Sequence, residues 1–526
     1  MAIVLNGITV PLPGNGEDIK AEAAKRLGIS PREISALRVK RQSLDCRRKE
    51  IRLVFTLHVA LYDAGRQRGL EEKYGAAQDY REPEIIYGAR EAVRPVIVGA
   101  GPCGLFAALT LLRHGYKPLL LERGASMAER EKDVESLRAG GVLNPESNVC
   151  FGAGGAGAFS DGKLTTRIKD PCAEHVLETL AGFGAPEEIL YMARPHAGTE
   201  NIRAAVSRMI KKIGEDGGEV VFGARLDGID VSQGELRGIN YTIKGVAVKI
   251  ETRAMILAVG HSARDTYAML LKNGVRAVPK AFAVGLRIEH LREFVDRAQY
   301  KEAFSHPALG AAEYRLTAKS ANRGVYTFCM CPGGEVICSS TEEGGIALNG
   351  MSYYSRSGRN SNSAVVVSVG PEDFPGGALG GVEFQREIER AAYSTGFAAP
   401  VQTVGDFLRG VKSARFGEVE PTYRPATVFM DLNRCLPGFV SGALKSGLTD
   451  FGAKIKGFDM PGALLTGVET RTSAPVRLLR ADNYQAEGIR GIYPAGEGAG
   501  YAGGIVSSAV DGIRCAQALM REYKRR

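Results

Sequence analysis

Gly99-Ala100-Gly101-Pro102-Cys103-Gly104 is the stretch that decides the fold. It follows an apolar run, Pro95 to Val98, and opens a helical pattern from Leu105 to His114. A second apolar run, Pro118 to Leu121, ends in Glu122. The order is strand, glycine turn, helix, strand, acid. Glycines at these spacings allow a tight turn, close approach of backbone to a pyrophosphate, and packing of helix on strand. The helix N-terminus offers N–H donors and partial positive charge to phosphate. Glu122 stands 18 residues after Gly104, a spacing that suits the ribose hydroxyls of a dinucleotide.

The turn alone does not separate NAD from FAD. Near the other end of the chain, Gly491 to Gly504 reads as a strand, an acid at Glu497 and a second glycine-rich turn, and a helical pattern runs from Ile505 to Arg521. This arrangement resembles flavoproteins with the glutathione-reductase or hydroxybenzoate-hydroxylase type of FAD domain. The resemblance implies that the acid after Gly496 holds the ribityl chain. It also implies that the helix opening at Gly503-Gly504-Ile505 points its positive end at the flavin, where charge develops on reduction. The chain departs from that pattern in carrying Glu497 where Asp is usual.

Other segments carry the same resemblance. Glu122-Arg123-Gly124 is similar to the acid-Arg-Gly that ends the second strand of such domains. Residues 252–260 are similar to the strand and turn that cross under the cofactor, which places Ala258 and Gly260 beside it. Phe151 to Leu164 holds too many glycines for a helix or strand interior. Its expected role is backbone pressed against the flavin, through Gly155, Ala156, Gly157, Ser160, Asp161 and Gly162. The meander expected over residues 226–252 puts backbone near Leu226 against adenine. Longer strings, among them Phe328 to Gly334, Asn349 to Ser352 and Thr466 to Arg477, extend the likeness over nearly the whole chain. The chain thus resembles a bacterial family of predicted FAD-dependent dehydrogenases, or NAD(P)/FAD-dependent oxidoreductases.

The expected fold class is α/β. It comprises a Rossmann-like FAD-binding domain with a parallel sheet and β-meander, an inserted α+β substrate domain, and a small N-terminal α+β domain. The boundaries expected are 1–90 for the N-terminal domain, 91–274 and 456–526 for the two parts of the FAD-binding domain, and 275–455 for the insert. Residues 62–90 are polar and read as a linker, with a basic hairpin at Arg47-Arg48-Lys49 before them. Thr199 is expected to cap a helix over Glu200 to Ile213.

Bulk numbers set limits. At 526 residues the chain can bury a large core, and 44% hydrophobic and 24% charged residues are ordinary for a globular protein. The nine cysteines are scattered and odd in number, which points to reduced thiols in a cytoplasm. No apolar run approaches the ~20 residues of a membrane helix, so no membrane insertion is expected. The net charge of +9 carries a mild excess in residues 1–90, with 16 Lys/Arg against 12 Asp/Glu. That bias reads as a solvated face.

A flavin performs the redox step itself, so the protein's part is pocket, orientation and electrostatics. Candidate catalytic residues in the insert are Arg287 for a substrate carboxylate, His290 for proton transfer, and Tyr354 in a polar, basic loop. His261 follows the Ala-Val-Gly turn and is expected near the cofactor. Cys329-Met330-Cys331 invites a redox reading, but redox dithiols favour two intervening residues. Disulfides also need a close geometry that a regular strand denies. No second Cys/His pair stands at ligand spacing, so no metal is expected.

No second complete strand–GxGxxG–helix unit is present, so NAD(P)H is expected only as a transient electron donor. The function read is hydride transfer between an unidentified small-molecule substrate and flavin N5. The alternative is an RNA-associated flavoprotein related to FAD-linked tRNA modification, which requires a basic surface joining residues 38–52 to the pocket. Nucleic acid is otherwise not expected as a partner.

Overall fold

The computed structural model describes residues 2–47, 50–78, 80–91 and 94–524. Its organising layer is a five-stranded sheet in the order Ile492–Pro494, Met255–Leu257, Val96–Val98, Leu119–Glu122, Glu219–Phe222, all parallel. The strand that precedes the glycine turn is central. These short strands are apolar throughout because both faces are covered. Val96, Val98, Leu119 and Leu121 face a three-stranded antiparallel meander, Ala224–Ser232, Glu235–Ile243 and Val246–Glu251. Ile97, Leu120 and Ile256 face the helices Pro102–Arg113 and Ile505–Glu522 on the other side. Those two helices come close because of Gly512, where a Cβ would stand 2.1 Å from the carbonyl oxygen of Cys103. Helices from opposite ends of the chain therefore pack as a pair beneath the same sheet.

A second layer is a seven-stranded sheet, in the order Thr317–Ser320, Arg323–Cys331, Asn360–Val369, Phe282–Leu291, Leu464–Glu469, Ala399–Thr403, Thr427–Phe429. Neighbours are antiparallel except the last pair. The helix Gly438–Lys454 packs Val440, Leu444 and Leu448 into its core. Leu464–Glu469 belongs to this sheet, so the chain leaves it after Glu469 and not at residue 455. The crossing is marked by the short pair Ala277–Pro279 with Val476–Leu478.

The N-terminal unit is a three-stranded antiparallel sheet, Ile3–Pro11, Arg52–Leu61 and Ile34–Asp45 in that order. The helix Gly16–Leu27 lies against it, started by a reciprocal Asn15–Asp18 capping box. Residues 62–90 are not a plain linker. Asp63 accepts from the N–H groups of Gly65 and Arg66 and starts a helix, Ala64–Tyr74, that buries no residue. Without an apolar stripe, that helix gave no periodic signal. Arg48 and Lys49 of the expected hairpin lie outside the described residues. The helix Thr199–Glu215 is likewise not capped by Thr199, whose hydroxyl donates to the Ala158 carbonyl while Gly198 occupies the cap.

Candidate functional site

One cavity of about 350 Å³ runs between the parallel layer and the seven-stranded sheet. Its floor is the glycine turn. Gly99 has φ of +105°, and a Cβ there would lie 2.2 Å from the Ala258 oxygen. At Gly104 a Cβ would meet the Gly99 oxygen at 1.9 Å. Backbone from two strand ends and a helix start is thus brought closer than any side chain allows.

Glu122 organises this floor. One carboxylate oxygen accepts the Ala100 N–H at 2.7 Å, and the other accepts Gly124 and Gly152 at 2.9 Å each. Three bonds on a group with about four lone-pair sites leave one free for a ligand. The carboxylate therefore ties the first glycine turn to the Gly152–Gly157 loop as well as lining the cavity.

That loop has a further anchor with no signal in the sequence reading. Arg130 is fully buried and donates to the carbonyls of Asn148, Val149, Ala153 and Gly155, with Phe159 under its guanidinium. It comes from the helix Met127–Gly140, which buries Arg130, Val134 and Leu137.

Of the residues expected at the cofactor, all line the cavity except Gly104, Gly162 and Gly496. Those three are packing glycines. Gly162 abuts Gly198 and Ile202, and Gly496 abuts Cys103. At Gly503 and Gly504 an added Cβ meets nothing within 4 Å, so the start of the last helix is open. His261 lines the cavity and pairs with the Ser262 hydroxyl at 2.8 Å. Burial, with Arg471 and Arg264 nearby, pushes its pKa down to about 4.

The three catalytic candidates fall elsewhere. Arg287 is fully buried behind the wall, where it donates to Glu469 at 2.5 Å, to Asn362 at 2.7 Å and to the Cys329 carbonyl at 2.6 Å. His290 points to the opposite face of its strand, bonds the Phe458 carbonyl at 2.7 Å and stacks on Phe294. Tyr354 stacks on His196 and is 36% exposed. Strand alternation identified the faces correctly, but both faces of this strand are buried and neither lines the cavity.

The insert instead contributes Phe328, Cys329 and Asn349, and the crossing segment adds Glu469, Arg471 and Thr472. The signal was present, since Asn349 and Arg471 lie in strings that the family resemblance already marked. Asp161 lines the cavity and is held by Arg356 at 2.6 Å, whose other side meets Glu313.

Ionisable groups also line the cavity, Arg123 and Arg225 among them and Glu497 as well. Arg123 sits between Asp265 and Glu146, and Arg225 also holds Glu146. Elsewhere Glu497 has Lys280 and Cys329 as charged neighbours. Burial raises the Glu497 carboxyl to about 7, against a Lys280 effect that lowers it. The unfolded carboxyl titrates near 4.5. Between those values the folded chain keeps a proton that the unfolded chain releases, so stability falls as pH rises through this window. Glu497→Gln is expected to remove that slope, as thermal melts from about pH 5 to about pH 8 would show. Parallel wild-type and variant profiles would refute the shift.

The RNA-associated alternative requires a basic surface over residues 38–52, and several described cations there form ion pairs. Lys40 pairs with Glu174, Arg47 with Asp45, and Arg52 with Glu50. Among the described residues no helix is long and apolar enough to cross a membrane.

The geometry suits a flavin dinucleotide. A backbone cradle lies where Cβ atoms are excluded, two helix N-termini open on the cavity, and an acid sits at the end of the second strand. The family match over part of the chain agrees. Residues 281–472 match the family described as FAD-dependent protein, C-terminal domain-like, and residues 2–60 match a domain of unknown function. Similar solved structures include a flavin-dependent brominase, at 11% identity over 81% of this chain and 79% of that one, with a TM-score of 0.36. A geranylgeranyl bacteriochlorophyll reductase-like protein from Thermoplasma acidophilum is 12% identical over 82% and 78%, with a TM-score of 0.35. An uncharacterized protein of Clostridium beijerinckii is 45% identical over 99% of both chains. The chain belongs, over its full length, to the same family as that clostridial protein, and it is a flavoprotein whose cofactor is FAD.

Proposed function

We propose that the chain is an FAD-dependent oxidoreductase that moves a hydride between a small organic substrate and flavin N5. The observation that carries this reading is convergence. The Gly99–Gly104 turn, the Gly152–Gly157 loop and the Gly503–Ile505 helix start, far apart in sequence, meet on one cavity. In this reading Glu122, Arg123 and Leu226 hold the adenosine end. The Pro102 helix start faces the pyrophosphate, and Glu497 with Gly503 and Gly504 faces the ring. When bound, the flavin supplies the hydride-accepting centre. The chain's own residues orient it, and Phe328, Asn349, Arg471 and His261 are the side chains left to meet a substrate. NAD(P)H enters only as a donor that docks transiently.

The purified chain is expected to be yellow, and heat or acid should release FAD that mass spectrometry identifies. FMN, or no flavin after reconstitution, would sink the assignment of the site. An anaerobic screen of metabolites and NAD(P)H for bleaching of the flavin band tests the reaction. A bound flavin that no organic donor reduces would refute the oxidoreductase reading.

A further inference from the structure

Cys329 and Cys331 lie on the strand Arg323–Cys331, which crosses one end of the cavity. In a regular strand, residues two apart share a face but stand roughly 6.6 Å apart. A disulfide needs Cβ atoms about 3.5–4.5 Å apart. This strand is not regular here. Phe328 pairs with Ala364 and Cys331 with Asn362, so Cys329 and Met330 together oppose Ser363 alone. That is a β-bulge, a device that re-aims side chains. Cys329 also has φ of +44°, a left-handed conformation uncommon for a residue with a side chain. Across the bulge the Cys331 thiol donates to the Cys329 carbonyl at 3.5 Å, so the two cysteines close on each other.

The surroundings favour a thiolate at Cys329. Arg287 is fully buried, donates to the Cys329 carbonyl at 2.6 Å, and lies 3.6 Å from the Cys331 sulfur. Lys163 donates to the Met330 carbonyl and lines the cavity. Hydrogen bonding from Cys331, helped by Arg287 and Lys163 and opposed by burial, lowers the Cys329 pKa to about 6. Cys331 shifts upward, chiefly because Cys329 is its partner. Cys329 lines the cavity, while Cys331 is fully buried behind it. Cys329 shares the cavity lining with Glu497, the acid read above as facing the ring.

We propose that Cys329 and Cys331 form a redox-active dithiol that exchanges an electron pair with the flavin. This rests on the cavity holding FAD as read above. In the oxidising direction a Cys329–Cys331 S–S bond forms from the Cys329 thiolate and the Cys331 thiol, and the one S–H bond, that of Cys331, is lost. Two electrons and one proton leave the sulfurs, and the oxidised flavin takes up the pair and that proton as it becomes the anionic reduced form. The reverse direction restores the thiolate and the thiol. The cavity face of Cys329 then makes small thiols or disulfides the chemical class able to exchange with it.

The test uses the holoprotein as purified. Anaerobic titration with dithionite should consume about twice as many electrons per FAD in wild type as in Cys329→Ser or Cys331→Ser. Retained flavin absorbance would show that the variants are folded. Independently, iodoacetamide labelling of oxidised wild type, mapped by mass spectrometry, should leave the Cys329–Cys331 peptide unlabelled until it is reduced. FAD present with equal electron uptake and both thiols labelled overturns the dithiol alone. A chain that binds no FAD overturns the parent reading, and the two failures are thereby distinct.

Discussion

Glu122→Ala is expected to strip the chain of FAD and to loosen the cavity floor together. The carboxylate holds the N–H groups of Ala100, Gly124 and Gly152, all buried or nearly so. Hydrogen bonds to a charged acceptor contribute about 1.5–3 kcal/mol each, and orphaned buried donors add a desolvation cost. Since ~1.4 kcal/mol is tenfold in affinity, loss of even one such bond from the bound state weakens FAD by tenfold or more. The variant should also melt earlier, because the Gly152–Gly157 loop loses one of its two side-chain anchors and keeps only Arg130. Glu122→Gln keeps the shape and one accepting oxygen, so it should fall between. Equilibrium titration with FAD and a thermal melt of the same samples check both halves. Wild-type affinity would show that the acid does not serve the cofactor, and wild-type melting that the tether is redundant.

The second large effect is expected at Glu389, on the helix Gly380–Ala392. Its carboxylate is buried and takes paired bonds from Arg264 at 2.8 and 2.9 Å and from Arg471 at 2.9 and 3.0 Å, with the Thr470 hydroxyl at 2.6 Å. Arg264 opens a helix beside the meander, whereas Arg471 ends the crossing from the seven-stranded sheet. The cluster therefore clamps the two layers that form the cavity, and Arg471 lines it.

Removing the acid leaves two buried guanidinium groups facing each other, a loss of about 3–5 kcal/mol. Glu389→Ala should lower the melting temperature by on the order of 5 °C or more. The acid sign also follows. Desolvation raises this carboxyl, but Arg471 and Arg264 outweigh it and hold it well below the ordinary range. Its contribution is present in full above the unfolded value near 4.5 and is lost as pH falls through the folded value. The stability gap between wild type and Glu389→Gln should therefore persist through neutral pH and close only in strong acid. A gap that narrows as pH rises from 5 to 8 would contradict the ionised clamp.

The parallel layer was legible because its signals are local. An apolar run, glycines at set spacing, a helical pattern and an acid at a strand end lie within about 30 residues, the reach of one βαβ unit. The meander was legible for a similar reason, since its turns at Gln233-Gly234 and Lys244-Gly245 separate alternating runs. The N-terminal helix Ala64–Tyr74 left no such trace, because a helix that buries nothing has no apolar stripe to read.

The candidate site divides along the same line. Sequence alone located the glycine turn and the acid that meet on the cavity, because close backbone packing at Gly99 and Gly104 excludes side chains. It did not determine which side chains of the insert reach the cavity. Alternation along Phe282–Leu291 assigns Arg287 and His290 to opposite faces, but only the groups packed on each face, such as Phe294 and Phe458 over His290, show that both are closed. Likewise, Cys329 and Cys331 are two residues apart in any reading. Whether their thiols meet depends on a bulge set by pairing with Ala364 and Asn362, more than 30 residues away. Register between distant strands is a tertiary property. It follows from how whole faces pack and leaves no mark in the local pattern that would announce it.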